Sequence, residues 1–138
     1  MEKEFIPYEQ ALALKELGFD EPCLGYYVGK DREVYISNET ISAPFQFRLE
    51  SKTTFVAPLY QQAFRWFREK YNLDSWITKE NKYQQPYCWY IQDNITEYNS
   101  DFRIGGLIWD TFFQTYEEAE LECLVKLIEI VKKQNLKN

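Results

Sequence analysis

Histidine is absent from the 138-residue chain. That removes the commonest general base at neutral pH, the Ser–His and Cys–His nucleophile pairs, and most zinc sites. Cysteine is sparse. Cys23, Cys88 and Cys123 are far apart, odd in number and without a CxxC pair, so they read as reduced, buried thiols. No phosphate loop occurs: Gly29-Lys30-Asp31 lacks the preceding glycine and the spacing, and Gly105-Gly106 reads as a bulge or strand bend. No apolar run approaches the roughly 20 residues of a membrane helix. Met1-Glu2-Lys3-Glu4-Phe5 lacks the apolar core of a signal peptide. Basic charge is also short. Sixteen Lys and Arg against 22 Asp and Glu leave a net charge of −6, which disfavours attraction to phosphates. The expectation is a protein of the cytoplasm with no cofactor, no membrane partner and no direct sequence-specific nucleic-acid binding.

Aromatic residues are what the chain has in excess. Eleven Tyr, 10 Phe and 4 Trp make up 18% of it, within an otherwise ordinary balance of 45% hydrophobic and 28% charged residues. Large rings fill cores and are favoured at contact surfaces, so the excess predicts a bulky core, an adhesive face, or both. The length suits a single domain over 1–138.

Three segments carry helical periodicity. The first runs from Pro7 to Leu17, with Pro7 suited to the first helical position and Gly18 to the stop. The second runs from Pro58 to Tyr71, with Tyr60, Ala63, Phe64, Phe67 and Tyr71 on one stripe and Asn72 as a left-handed cap. The third runs from Tyr116 to Lys133 behind Thr115, which forms a capping box with Glu118. Strands are expected at Leu24–Val28 and Glu33–Ile36, joined by a turn over Gly29-Lys30-Asp31-Arg32, and at Phe45–Leu49. Further extended pieces are Ser75–Thr78, Tyr87–Gln92 and Phe102–Phe113, with a turn near Asn99–Asp101. The predicted fold class is α+β, a mainly antiparallel sheet with three helices packed on it.

Each helix opens with the same word: Tyr8-Glu9-Gln10-Ala11, Tyr60-Gln61-Gln62-Ala63 and Tyr116-Glu117-Glu118-Ala119. One reading is a degenerate repeat of helix-plus-strands units at 7–56 and 58–113, followed by the helix at 116–133. The other is that polar residues beside a Tyr and a small residue make good helix starts.

Two places could carry metal chemistry. Glu50-Ser51-Lys52 is an acid-x-Lys triplet of the kind found in metal-dependent nucleases, with Asp31 as the further carboxylate such a site needs. Asp93, Glu97 and Asp101 form a second set. A solvated loop and turns account for these residues better.

Two features point to contact surfaces. On a helical wheel Ala119, Leu121, Cys123, Leu124, Val125, Leu127, Ile128, Ile130 and Val131 spread over about two-thirds of the third helix. Intramolecular cover is the preferred account, with a homodimer as the alternative to a monomer. The polar strip carries Glu122–Lys126 and Glu129–Lys133 at pairing distance. Trp66 lies off the stripe of the second helix beside Arg65 and Arg68, residue types common among binding anchors. Its alternative is a ring laid over the flank of its own helix. Tyr87 and Trp89 share one face of a strand. Trp66, Arg65, Arg68, Tyr87 and Trp89 are therefore the candidate partner contacts, with no catalytic and no metal-binding residue.

Ala63-Phe64-Arg65-Trp66-Phe67-Arg68-Glu69-Lys70-Tyr71 and Thr115-Tyr116-Glu117-Glu118-Ala119-Glu120-Leu121-Glu122-Cys123-Leu124, with Tyr8-Glu9-Gln10-Ala11 and Gly18-Phe19-Asp20, resemble small phage and prophage proteins of Bacteroidota. The likeness covers the helices and carries no site residues. It implies action in a bacterial host cytoplasm, by engaging a host protein or nucleoprotein, as anti-CRISPR-like counter-defence proteins do. The expected function is non-catalytic binding. The alternatives are a small metal-dependent nuclease and a phage structural or packaging accessory protein.

Overall fold

Each helix of the computed structural model begins at the tyrosine of its repeated word: α1 spans Tyr8–Glu16, α2 Tyr60–Tyr71 and α3 Tyr116–Lys137. The structure describes residues 2–41, 54–80, 84–93, 107–109 and 112–137. In each helix an early hydrogen bond is donated by the alanine of the word, to Pro7 O at 2.9 Å from Ala11, to Leu59 O at 3.0 Å from Ala63, and to Thr115 O at 3.3 Å from Ala119. Tyr and the two acidic or amide residues thus fill the first turn, where N–H groups lack helical partners and negative side chains are favoured. All three alanines are buried, small enough for a helix end to sit close to what lies beneath. The word is the chemistry of a helix start.

The flanking caps follow the same logic. Thr115 Oγ1 accepts the Glu118 N–H at 3.2 Å. Pro7 stands one residue earlier than expected, as the N-cap, with an extended ψ of 162°. α1 ends in a Schellman turn: Gly18 takes φ 95°, its N–H donates to Lys15 O, and the Phe19 N–H donates to Leu14 O. α2 ends at Asn72, φ 55°. A buried apolar residue follows each of these left-handed positions, Phe19 and Leu73.

Among the described residues six strands complete the α+β fold: β1 (Cys23–Val28), β2 (Tyr35–Ile41), β3 (Thr54–Ala57), β4 (Leu73–Lys79), β5 (Tyr87–Asp93) and β6 (Leu107–Trp109). They form two antiparallel sheets, ordered β2-β1-β3 and β4-β5-β6, where the sequence suggested one. The chain divides into two compact units, Met1–Ala63 and Phe64–Asn138, with α2 running through the division. The first strand after the helix is central in one sheet and the second strand is central in the other.

In the first unit α1 packs on β3. Alternation along β1 turns Cys23, Gly25 and Tyr27 inward and leaves Leu24, Tyr26 and Val28 on the outer face. The rings of Tyr8, Tyr27 and Phe55 meet with centroids 5.2–5.6 Å apart. The Tyr27 hydroxyl donates to Ile6 O at 2.8 Å, and the Tyr8 hydroxyl to Gly29 O at 2.7 Å. The Gly29–Arg32 turn is present: Gly29 takes φ 57° and the Asp31 N–H donates to Val28 O. β2 runs five residues further than expected, with a bulge in its pairing to β1. β3 was not expected at all. The candidate strand Phe45–Leu49 lies outside the described residues.

In the second unit β4 and β5 pair in unbroken register from Leu73↔Asp93 to Lys79↔Tyr87, and α3 packs over both. Tyr87 meets Tyr116 of α3 edge-on at 6.2 Å, which identifies the helix-facing side as that of Ser75, Ile77, Tyr87, Trp89 and Ile91. On α3 itself Ala119, Cys123, Leu124, Leu127, Ile128 and Val131 are buried, while Leu121, Val125 and Ile130 are half-buried. The wide apolar arc is therefore covered within the chain over most of its width. Lys126 and Lys133 both reach Glu129 Oε1, at 3.1 and 2.9 Å. Those hydrogen bonds, Lys133's first, hold the Glu129 carboxyl below its ordinary range.

Candidate binding surface

The structure moves two expected anchors into the interior. Trp66 is 5% exposed; its ring meets Phe67 and Tyr71 at 5.1 and 5.3 Å, and Lys70 Nζ lies 5.0 Å above it. α2 buries a wider arc than the five-residue stripe, so a ring one step off the stripe is still covered. Trp89 is 2% exposed because it sits on the helix-facing side of β5. Tyr87 is half-buried between Tyr116 and Lys79. Of the expected contacts, Arg65 and Arg68 remain exposed.

The opposite face of the same sheet presents a different tryptophan. Register places Trp76 of β4 directly across from Tyr90 of β5, and alternation turns both away from α3. Their rings stack with centroids 5.5 Å apart and planes 20° apart. Trp76 is 45% exposed, among the most open large apolar residues described. Asp74, Thr78, Gln92 and the buried Cys88 share this face by parity. The Glu80 N–H donates to Pro86 O at 2.7 Å, closing the base of the hairpin. Burial first, then Cys88 and Glu80, push the Tyr90 hydroxyl above its ordinary pKa. β6 adds Trp109 to the register opposite Tyr90.

The first unit repeats the arrangement. Tyr26 and Tyr35 face each other across β1 and β2 and stack at 5.6 Å and 25°. Tyr35 is 41% exposed, and its hydroxyl donates to Asp31 Oδ2 at 2.6 Å. That bond, ahead of the Asp31 charge itself, raises the Tyr35 pKa. Each sheet thus carries a cross-strand aromatic stack on its outer face. Tyrosine and tryptophan so placed offer rigid, amphipathic contact area at low entropic cost.

Asp31 is engaged by the Tyr35 hydroxyl and by the Glu33 N–H at 3.0 Å. Glu50, Lys52, Glu97 and Asp101 lie outside the described residues. Among the described residues no three His, Cys, Asp or Glu side chains come together to hold a metal ion. The three cysteines are buried and form no disulfide. Burial drives Cys23 from an ordinary value near 9 up to about 12, aided by Glu21 and opposed by Gln62. It does the same to Cys123, with the Ser75 hydroxyl pulling the other way.

Such thiols hold their protons, so their thiolate fraction at a given pH falls roughly a thousandfold. A disulfide reagent at pH 8 should label Cys23 and Cys123 of the folded chain at least about a hundredfold more slowly than the urea-unfolded chain. Equal rates would mean the thiols are open to solvent. The folded state retains protons that the unfolded state releases above about pH 9. These thiols therefore contribute stability below that pH which is lost as pH rises toward 12.

No described helix is long and apolar enough to cross a membrane. No protein-family model, curated protein or solved structure matches the chain.

Proposed function

We propose that the chain is a non-catalytic binding protein that engages a host protein or nucleoprotein in the bacterial cytoplasm, in the manner of phage counter-defence proteins. The observation that carries this reading is the Trp76–Tyr90 stack, held open on the outer face of the β4-β5-β6 sheet. Burying an exposed tryptophan of that size is worth a few kcal/mol in a desolvated interface, the scale of a binding hot spot. Asp74, Thr78 and Gln92 on the same face are polar, as at the rim of a protein interface. Trp89 and Tyr87 lie on the helix-facing side of the same sheet and Trp66 is buried on α2, so in this reading Trp76 and Tyr90 replace all three as anchors.

The test is affinity capture from host lysate with the wild-type chain and the Trp76→Ala/Tyr90→Ala double variant, each before and after nuclease treatment. The wild type should retain a partner that the double variant loses, while both melt at nearly the same temperature. Capture that ignores both substitutions would remove the site. Turnover of DNA or RNA by the purified chain with Mg²⁺ or Mn²⁺ would replace binding by catalysis.

A further inference from the structure

We infer that the β4-β5 strand pair and α3 enclose one internal water molecule, held between the Trp89 indole N–H and the Ser75 hydroxyl.

Alternation brings both groups to the same side of the sheet. Ser75 pairs with Ile91 and Ile77 with Trp89, so Ser75 and Trp89 are diagonal neighbours on the side that α3 covers. Diagonal positions in an antiparallel pair stand about 7–8 Å apart, a gap that a long aromatic side chain spans in part. Trp89 is 2% exposed, and Ile91 beside it is fully buried. The indole nitrogen and the serine oxygen are both shut off from bulk solvent. Neither is hydrogen-bonded to any protein group among the described residues.

Such atoms stand out against the rest of the chain. A buried N–H without an acceptor forfeits a bond that the unfolded chain makes to solvent, and native interiors leave few polar groups unmatched. Elsewhere the rule is kept: the Tyr27 hydroxyl donates to Ile6 O and the Tyr8 hydroxyl to Gly29 O. Here two unmatched groups lie on one face of one strand pair, and a single guest can satisfy both.

The chemistry of the two groups selects water. An indole N–H only donates, so the guest must accept; a serine hydroxyl both donates and accepts. A cation would face the N–H, and among the described residues no three His, Cys, Asp or Glu side chains come together to hold one. An anion would bring a charge into a layer where burial already pushes the Cys123 thiol of the covering helix up to about 12. Water is neutral. It accepts from Trp89 Nε1 and donates to Ser75 Oγ, whose lone pairs stay open even where its proton is turned toward the Cys123 thiol. The site lies on the opposite side of the sheet from the Trp76–Tyr90 stack, so it stands whether or not that stack binds a partner.

The experiment is a crystal structure of the full chain that resolves ordered solvent, joined to NMR of the four indole protons in solution. One density peak should appear about 2.8–3.0 Å from both Trp89 Nε1 and Ser75 Oγ. In solution the Trp89 indole proton should exchange with deuterium at least about a hundredfold more slowly than that of the exposed Trp76, and still show a dipolar cross-peak to water. A direct hydrogen bond between the two side chains would overturn the inference. So would a nitrogen enclosed by carbon with no density beside it, or a protected indole proton silent toward water. Exchange as fast as that of Trp76 would also end it, because the ring would then be open to bulk solvent.

Discussion

Trp66→Ala should lower the free energy of unfolding by about 3–5 kcal/mol, while Trp76→Ala, ten residues later, should lower it by about 1 kcal/mol or less. Trp66 is almost fully enclosed, and its ring meets Phe67, Tyr71 and the Lys70 ammonium. Removing it takes away a large buried area and leaves a cavity that rigid neighbours cannot fill. Trp76 stacks on Tyr90 but is 45% open, so its loss forfeits one cross-strand pair and opens no hole. Urea unfolding followed by far-ultraviolet circular dichroism measures both. The contrast also separates function from folding. Substitution at Trp66 should reduce binding through the amount of folded protein, substitution at Trp76 with the chain still folded. A Trp66→Ala chain as stable as wild type would mean that its ring faces solvent, and the sequence-based anchor would return.

How much of this was legible beforehand depends on whether the signal is local. Helix ends were, because caps act within a few residues: Thr115, Gly18 and Asn72 each do in the structure what their chemistry suggested. The turn at Gly29–Arg32 was legible for the same reason. β3 was not. Thr54, Phe55, Val56 and Ala57 are all buried, so the strand lacks the alternation that marks a half-exposed one, and Pro58 follows at once. The far half of β2, Ser37-Asn38-Glu39-Thr40, is polar and reads as a loop. That the strands make two sheets is a matter of pairing between distant segments, which composition does not encode.

The site was hidden by the same non-locality. Trp76 sat inside an expected strand, but its outward direction follows from α3 covering the other face and from the register that sets it against Tyr90. Trp66 reads as an anchor because arginines flank it in sequence. Its burial is decided by how wide an arc of α2 is covered, and a helical wheel cannot show that width. The aromatic excess predicted both a bulky core and an adhesive face; only three-dimensional packing divides the tryptophans between them.

Gly25→Ala should cost about 1–3 kcal/mol, against the usual expectation that replacing a strand glycine stabilises or is neutral. A β-carbon at Gly25 would stand 2.6 and 2.7 Å from two ring carbons of Phe5 and 2.9 Å from Ala57 O. None of these can yield easily. Phe5 is buried, its backbone bridges to Leu59, and its N–H donates to Glu2 O at 3.2 Å. Ala57 is the ladder partner of Gly25 itself, so moving its carbonyl would disturb the β1–β3 pairing. The glycine is therefore a clearance requirement that lets the N-terminal segment lie across the sheet, and Phe5 is the side chain that sets it. A double-mutant cycle isolates this: in a Phe5→Leu background, itself less stable, the added methyl of Gly25→Ala should cost about 1 kcal/mol less, because the crowding ring atoms are gone. Equal penalties in both backgrounds would shift the conflict to the Ala57 carbonyl and leave Phe5 a bystander.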